Sequence, residues 1–153
     1  AGAVYALLPF RGMLLGSVNN RVVIWRRCEE DPRRLQEVCC HGASMMALHL
    51  QASGEHVLVG DIMRSASLLR FRAEVPSLEE VARDSGLAWL TAAEMLSEDL
   101  FLCADDAHNL LTLARGTAAA SPPSPRPRGG SRCLPEDGGS KLERVGPMHS
   151  GEV

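Results

Sequence analysis

The sequence predicts an all-β fold, a partial β-propeller of about three four-stranded antiparallel blades, the third of which is interrupted. One observation is a short apolar segment whose central small residue recurs as Gly16, Gly60 and Ala104, 44 residues apart each time. Another is the segment Leu-Gln-Glu-Val at 35–38, which recurs as Leu-Glu-Glu-Val at 78–81. A period of about 40–50 residues, filled by short strands, is typical of propeller blades.

The interruption of the third blade follows from the same repeat. The second segment returns once more, as Leu-Glu-Arg-Val at 142–145, but 64 residues later instead of 43. The additional residues fall within 116–140, where Pro and Gly are dense. Because such a composition neither pairs as strands nor buries a core, we expect a disordered insert at 116–140. Residues 141–153 would then hold the displaced last strand of the third blade and a tail.

Turn signals separate segments of strand length in the first two repeats. Asn19 and Asn20 indicate a hairpin turn, because Asn tolerates the left-handed backbone that tight turns need. Gly54 marks a turn in the second repeat. The segments are mostly apolar runs, as expected for a blade buried between two neighbours. The predicted strands are 4–10, 12–18, 21–27 and 35–39, then 45–51, 56–60, 65–72 and 78–84.

The third repeat begins near Trp89, and its first segment is ambiguous. Residues 90–96 have helix-compatible propensity, but the repeat places a strand there, and we follow the repeat. Strands are also predicted at 100–104 and 109–115, with 141–146 as the displaced fourth. We therefore expect about eleven strands between residues 4 and 115, in sheets of up to four, with helix nearly absent.

Length and composition restrict the class of protein. The chain has 153 residues, 45% hydrophobic but only 4% aromatic, so Leu, Val, Ala and Met must fill the core. A net charge of −3 disfavours a broad phosphate-binding surface. No apolar run reaches the roughly 18 residues of a membrane span, so no membrane partner is expected. A ring needs about four to eight blades. Three blades, and a first residue that is Ala, predict a fragment of a larger propeller.

No arrangement of residues indicates catalysis or a cofactor. The five cysteines are odd in number and lack a CxxC pair, and we interpret them as reduced thiols of an intracellular protein. Cys39, Cys40 and His41 are adjacent, which does not suit a shared tetrahedral metal ion. The carboxylates between 94 and 106 flank strand ends and turns, where carboxylates are usually solvated or cap the backbone. We predict a protein that is not an enzyme and that needs no cofactor or metal.

Large side chains suited to interfaces recur near the start of the first strand of each repeat. They are Tyr5, Met46 and Trp89, and such positions lie around one rim of a propeller. Trp, Tyr and Met anchor protein interfaces through large contact area or adaptable shape. Ordinary core packing is the alternative, and the spacing by itself favours it.

An ordered series of segments resembles one divergent propeller family. The segments are 58–65 (Leu-Val-Gly-Asp-Ile-Met-Arg-Ser), 79–84 (Glu-Glu-Val-Ala-Arg-Asp), Trp89 with 93–96, and 106–110, extended by 4–7 and 46–48. They are similar to the C-terminal propeller of the damaged-DNA-binding protein subunit 1 family. The resemblance covers about residues 4–115 and resumes at 142–146. The Pro-rich insert departs from the family, which has a shorter polar connection at this place.

The resemblance implies a non-enzymatic scaffold, the adaptor of a cullin RING ubiquitin ligase that acts in the DNA-damage response and in protein ubiquitination, in nucleus and cytoplasm. In this family a cleft between two propellers grips substrate receptors, and damaged DNA is read chiefly by a partner subunit. By motif position, the resemblance implies a partner-facing rim at Met46, Leu48, His49, Ile62 and Trp89, with Tyr5 in the same region. His49 stands where an aromatic residue is expected.

An RNA-processing scaffold that contacts nucleic acid is the alternative. Large subunits of the cleavage-and-polyadenylation and splicing machineries share the architecture. A basic strip would favour this alternative, and the sequence shows none outside the arginines of the insert, Arg126, Arg128 and Arg132. We interpret these arginines as part of a solvated linker.

Overall fold

The computed structural model describes residues 2–42, 45–116 and 140–147, and these residues form strands, turns and loops. The predicted all-β fold is confirmed, and the segment with helical propensity is a strand. The strands are β1 (Val4–Phe10), β2 (Met13–Val18), β3 (Arg21–Arg27), β4 (Leu35–His41), β5 (Ala47–Ser53), β6 (His56–Asp61), β7 (Ala66–Arg72), β8 (Ser77–Asp84), β9 (Leu90–Met95), β10 (Leu100–Asp105), β11 (Leu110–Arg115) and β12 (Ser140–Pro147).

The strands form three antiparallel meanders, which we call blades 1, 2 and 3. Blade 1 is β1–β4, blade 2 is β5–β8 and blade 3 is β9–β12. Asn19 has a φ of 53°, so the predicted left-handed turn between β2 and β3 is present. The last strand of blade 3 is displaced as predicted, and Leu113 of β11 pairs with Arg144 of β12. The predicted disordered insert at 116–140 lies outside the described residues except for its two end residues.

One expectation about the sheets is wrong, because one sheet has eight strands rather than four. β12 pairs in parallel with β8, with Ser140 opposite Ala82 and Leu142 opposite Asp84, and this ladder joins blades 2 and 3. Blade 1 remains a separate four-stranded sheet. Pro76 precedes Leu78 of β8 by two residues, just as Ser140 precedes Leu142 of β12, so Pro76 and Ser140 hold equivalent positions. Because proline has no N–H, the start of β8 is less able to form the equivalent ladder with β4.

The second repeated segment proves to be a β-bulge in the last strand of each blade. In blades 1 and 2 the register shifts at Val38 and at Val81, which are skipped by the pairing. In blade 3 the shift falls between Arg144 and Pro147. A bulge bends its strand and increases the local twist. Its recurrence in all three blades shows that it is a regular element of the blade. The sequence period is therefore a period of strand geometry.

The first repeated segment marks a place where side chains pack closely on the sheet. A Cβ atom at Gly16 would lie 2.7 Å from Leu7 and 2.8 Å from Trp25. A Cβ atom at Gly60 would lie 3.1 Å from the Cβ of His49. The small residues at these positions therefore leave room for large side chains on the neighbouring strands.

The core is divided into two parts, one on each side of blade 2. Between blades 1 and 2, Phe10 and Phe71 meet edge to face with ring centroids 5.6 Å apart. Between blades 2 and 3, Phe101 and Leu113 are fully buried against residues of blade 2 that include Leu58. Because side chains alternate along a strand, β6 sends Val57 and Val59 to the first part and Leu58 to the second. This two-sided burial accounts for the continuous apolar run of β6.

Candidate protein-interaction surface

The first strand of each blade, β1, β5 or β9, begins at the same rim of the structure. Backbone hydrogen bonds show which residues hold equivalent places at this rim. The N–H of Ile62 donates to the carbonyl of Met46 at 3.2 Å, and that of Asp106 donates to the carbonyl of Trp89 at 3.1 Å. In blade 1 the same bond runs to Ala3, from Asn19, at 3.0 Å. Met46 and Trp89 are thus equivalent, as their recurrence in the sequence predicts.

Tyr5 is equivalent to Leu48 rather than to Met46. Each lies at a bulge in the first strand of its blade, since the register of β1 shifts at Tyr5 and that of β5 at Leu48. The register of β9 shifts at Thr91. Tyr5 is 40% exposed and Leu48 is half-buried. Bulges re-aim side chains, so these positions form a second row behind the rim.

The structure brings Ile62 and Trp89 together, although 27 positions separate them in the sequence. Both line a shallow depression of about 340 Å³, which Leu87, Met63, Ala88 and Asp106 complete. Trp89 is 47% exposed, so a large part of the indole is available for contact. Through its bond to Ile62, Met46 borders the same region.

Three exposed apolar side chains at this rim escaped the sequence interpretation. Met45 is 54% exposed, Met63 is 58% exposed and Leu87 is 88% exposed. The Met45-Met46 pair in the sequence was a signal that could have found the first of them. Adjacent exposed apolar residues of this size mark interaction sites more often than scattered ones do. We call Met45, Met46, Ile62, Met63, Leu87 and Trp89 the docking rim.

Asp61 organises the docking rim through its carboxylate, which is buried. One oxygen, Oδ2, accepts hydrogen bonds from the N–H groups of Met45 and Met46 at 2.7 and 3.0 Å. The other, Oδ1, accepts from Met63 and Arg64 at 2.8 and 2.9 Å. One side chain therefore fixes two loops that carry the exposed methionines. Charge-assisted bonds of this kind are stronger than neutral ones.

The loop that carries Leu87 and Trp89 is anchored beside the same loops. The N–H of Ser65 donates to the carbonyl of Ala88 at 3.1 Å. The hydroxyl of Ser65 donates to Asp84 Oδ2 at 2.6 Å, and both residues are buried. The position of Trp89 is thus fixed by backbone contacts on both sides.

His49 lies deeper than the docking rim and contacts the next blade. Its Nε2 is 3.0 Å from the carbonyl oxygen of Leu90, to which an Nε2–H tautomer donates. Gln51, two residues on, donates to Glu94 at 2.9 Å. These two contacts join the first strands of blades 2 and 3. His49 is half-buried, so the structure places it at the inter-blade contact as well as near the predicted surface.

The thiols of the described part lie outside the docking rim. Cys28, Cys39, Cys40 and Cys103 are free thiols. Burial raises the pKa of the Cys103 thiol to about 11. Among the described residues, no group of three or more His, Cys, Asp and Glu side chains is placed to hold a metal ion. Nor does the described part contain a helix long and apolar enough to span a membrane.

The comparison with known proteins agrees with the resemblance in the sequence. The chain is 35% identical over 153 residues to DNA damage-binding protein 1a of Arabidopsis thaliana and 34% identical to its relative 1b. It is 35% identical over 154 residues to DNA damage-binding protein 1 of Solanum lycopersicum. Each alignment covers 99% of this chain and 13% of the relative, so the chain spans only a small part of these relatives' length.

A family model covers the whole of the chain. The model described as the CPSF A subunit region matches residues 1–153. The match includes the three blades, the docking rim and the displaced strand β12. The chain therefore belongs to the CPSF A subunit region family.

Proposed function

We propose that this chain is part of a non-enzymatic propeller scaffold, the adaptor of a cullin RING ubiquitin ligase, and that its docking rim binds substrate receptors. The relatives that support the proposal are named as DNA damage-binding proteins. The observation that carries it is the docking rim itself, four of whose side chains are about half exposed or more, namely Met45, Met63, Leu87 and Trp89.

The chemistry of the docking rim suits a protein partner. Trp is the residue type most often found to dominate binding energy, and Met adapts its shape to different partners. The depression between Ile62 and Trp89 is shallow and mainly apolar, and Asp106 lies at its border. A partner that inserts apolar side chains there would desolvate the indole face of Trp89. Damaged DNA would be reached through a partner subunit, in the nucleus and the cytoplasm.

The alternative, an RNA-processing scaffold, has the family description in its favour. Such a scaffold would bind nucleic acid directly and would need clustered cations. The residues that line the depression of the docking rim are apolar except for Asp106, and there is no lysine or arginine among those that the structure describes there. We therefore prefer a protein partner, and binding to RNA is an outcome that the experiment below can return.

The test compares two matched substitutions in the full-length protein. Leu87→Glu places a charge on the docking rim, whereas Val75→Glu places one in the β7–β8 turn at the opposite rim. Both residues are strongly exposed, at 88% and 74%, so neither change should disturb folding. With a purified substrate receptor that the wild type binds, we expect Leu87→Glu to weaken binding about tenfold or more and Val75→Glu to leave it unchanged.

The same preparation separates the two functions. Equal receptor affinity of both variants would contradict the assignment of the docking rim. The RNA-processing scaffold would be favoured if the wild type binds single-stranded RNA tightly and in a salt-dependent way. In that case neither added receptor nor the Leu87→Glu substitution should weaken RNA binding.

A further inference from the structure

We propose that β12 latches the docking rim in place, with Arg144 as the positioning residue that fixes the loop at 85–89. The inference rests on the proposed function only where it concerns receptor binding. The latch itself is a property of the fold.

The first observation is a reversal of charge within the repeated segment. Its third position is Glu37 in blade 1, Glu80 in blade 2 and Arg144 in blade 3. Glu37 pairs with Arg21 within blade 1, and Glu80 pairs with Arg83 within blade 2. Glu80 also lies 4.0 Å from Nε2 of His41 in blade 1. Arg144 reaches the preceding blade with the opposite charge, and its Nε and Nη2 donate to Asp84 Oδ2 at 3.0 and 2.8 Å. This position thus contacts the preceding blade in blades 2 and 3, and the reversal in blade 3 lets it donate two hydrogen bonds to the buried carboxylate of Asp84.

The second observation is the position of Asp84 at the origin of the loop. Asp84 ends β8, directly where the parallel ladder with Leu142 ends. Its Oδ1 accepts a hydrogen bond from the N–H of Gly86 at 3.0 Å, which closes the first turn of the loop. A Cβ atom at Gly86 would collide with the guanidinium of Arg144. Glycine at this position therefore lets Arg144 pack directly over the loop.

The loop then leads into the docking rim. Leu87, Ala88 and Trp89 follow Gly86 and line the depression. Ser65 contacts both parts of the loop, since its hydroxyl donates to Asp84 and its N–H donates to Ala88. Contacts thus run without a break from Arg144 through Asp84 and Gly86 to Trp89.

The burial of Asp84 indicates that its pair with Arg144 contributes more to stability than an exposed surface ion pair does. The Asp84 side chain is 4% exposed and that of Arg144 is 39% exposed. Removing the arginine would leave a buried carboxylate whose remaining hydrogen-bond donors are the hydroxyl of Ser65 and the backbone N–H of Gly86. Leaving a buried charge without its partner is destabilising. Local opening of the adjacent loop would expose the Asp84 carboxylate to water, so we expect the loss of Arg144 to favour that opening.

The latch is tested by hydrogen exchange in the full-length protein. We expect Arg144→Ala to speed the exchange of the amides of 85–89 about tenfold, with no change in the β6 and β7 core, and Arg144→Lys to restore part of the protection. Lys141→Ala is the matched control, because it removes an exposed cation from the same strand. Unchanged exchange at 85–89 in Arg144→Ala would overturn the latch.

Its effect on the docking rim is tested with the purified receptor. We expect Arg144→Ala to weaken receptor binding about fivefold to tenfold, Arg144→Lys to weaken it less, and Lys141→Ala to leave it unchanged. Faster exchange with full receptor affinity would overturn the role of Arg144 in positioning the docking rim. A wild-type protein that binds no receptor would overturn the proposed function, while the exchange experiment would still decide the latch.

Discussion

Met46 and Trp89 occupy the same place in consecutive blades. The carbonyl of each accepts a hydrogen bond from the N–H of the residue that follows the second strand of its blade, Ile62 at 3.2 Å and Asp106 at 3.1 Å. The two residues therefore lie at the same rim, one blade apart. In blade 1 the same place is held by the small residue Ala3.

The first prediction concerns these two residues. In the full-length protein, Met46→Ala combined with Trp89→Ala should weaken substrate-receptor binding, because truncating a desolvated anchor often costs about 2 kcal/mol or more. Cullin binding should persist, because the proposal assigns the docking rim to the substrate receptor. Co-purification of both partners with the folded double variant measures the effect. Receptor binding at wild-type strength would rule the assignment out, and loss of both partners would indicate misfolding.

A second prediction concerns Asp61. Asp61→Ala removes the acceptor for four backbone N–H groups, those of Met45, Met46, Met63 and Arg64. These amides should exchange faster, and receptor binding should fall with them, because the exposed methionines lose their fixed geometry. Asp61→Asn keeps one acceptor oxygen and should have a smaller effect. Asp31→Ala, which removes a turn contact to Arg33 at the opposite rim, is the control. Equal exchange at Met45 and Met63 in all variants would refute this role.

A third prediction concerns acid. Burial alone raises the pKa of Asp84, but hydrogen bonds from Arg144, Ser65 and Gly86 outweigh it and hold the pKa below its usual value. Because the pKa is lower in the folded state, the stabilisation is present above the unfolded pKa of about 3.9 and is lost as pH falls through the folded pKa. The difference in melting temperature between wild type and Asp84→Asn should therefore shrink from about pH 6 to about pH 3. A difference that does not depend on pH would contradict this account.

The apolar face of blade 1 gives a fourth prediction. Leu7 and Leu35 are 58% and 54% exposed, and Leu7 lies beside Trp25 on the face turned away from blade 2. Expressed as these 153 residues, the chain should bind a hydrophobic dye or aggregate, because repeat units gain stability from neighbour contacts. Leu7→Lys with Leu35→Lys should reduce dye binding. A soluble monomer with a sharp melt and no dye signal would be the contrary result.

The sequence was sufficient to predict most of the strands. Turn residues and the repeat placed each predicted strand within about two residues of its observed bounds, including β9, where local propensity favoured a helix. The repeat prevailed because Leu90 of β9 is fully buried in the core between blades 2 and 3, a contact that local propensity does not consider.

What the sequence did not predict depends on contacts between distant residues. The parallel ladder of β12 with β8 brings together Leu142 and Asp84, which are 58 positions apart, and no local pattern encodes that pairing. The exposure of Met63 and Leu87 was missed because apolar residues in a blade are expected to be buried. The structure was also needed to decide which residues hold equivalent positions in different blades, since the bulges show that Tyr5 corresponds to Leu48.

The central claim, that the docking rim contacts substrate receptors, is tested most directly by site-specific photo-crosslinking. A photoreactive amino acid is placed at position 87 of the full-length protein, and at position 75 in the control, and each protein is irradiated with the same purified receptor. Both positions are strongly exposed, so differences in access do not affect the comparison. The account predicts a crosslink to the receptor from position 87 and none from position 75. A receptor that binds yet crosslinks from neither position, or only from position 75, would contradict it.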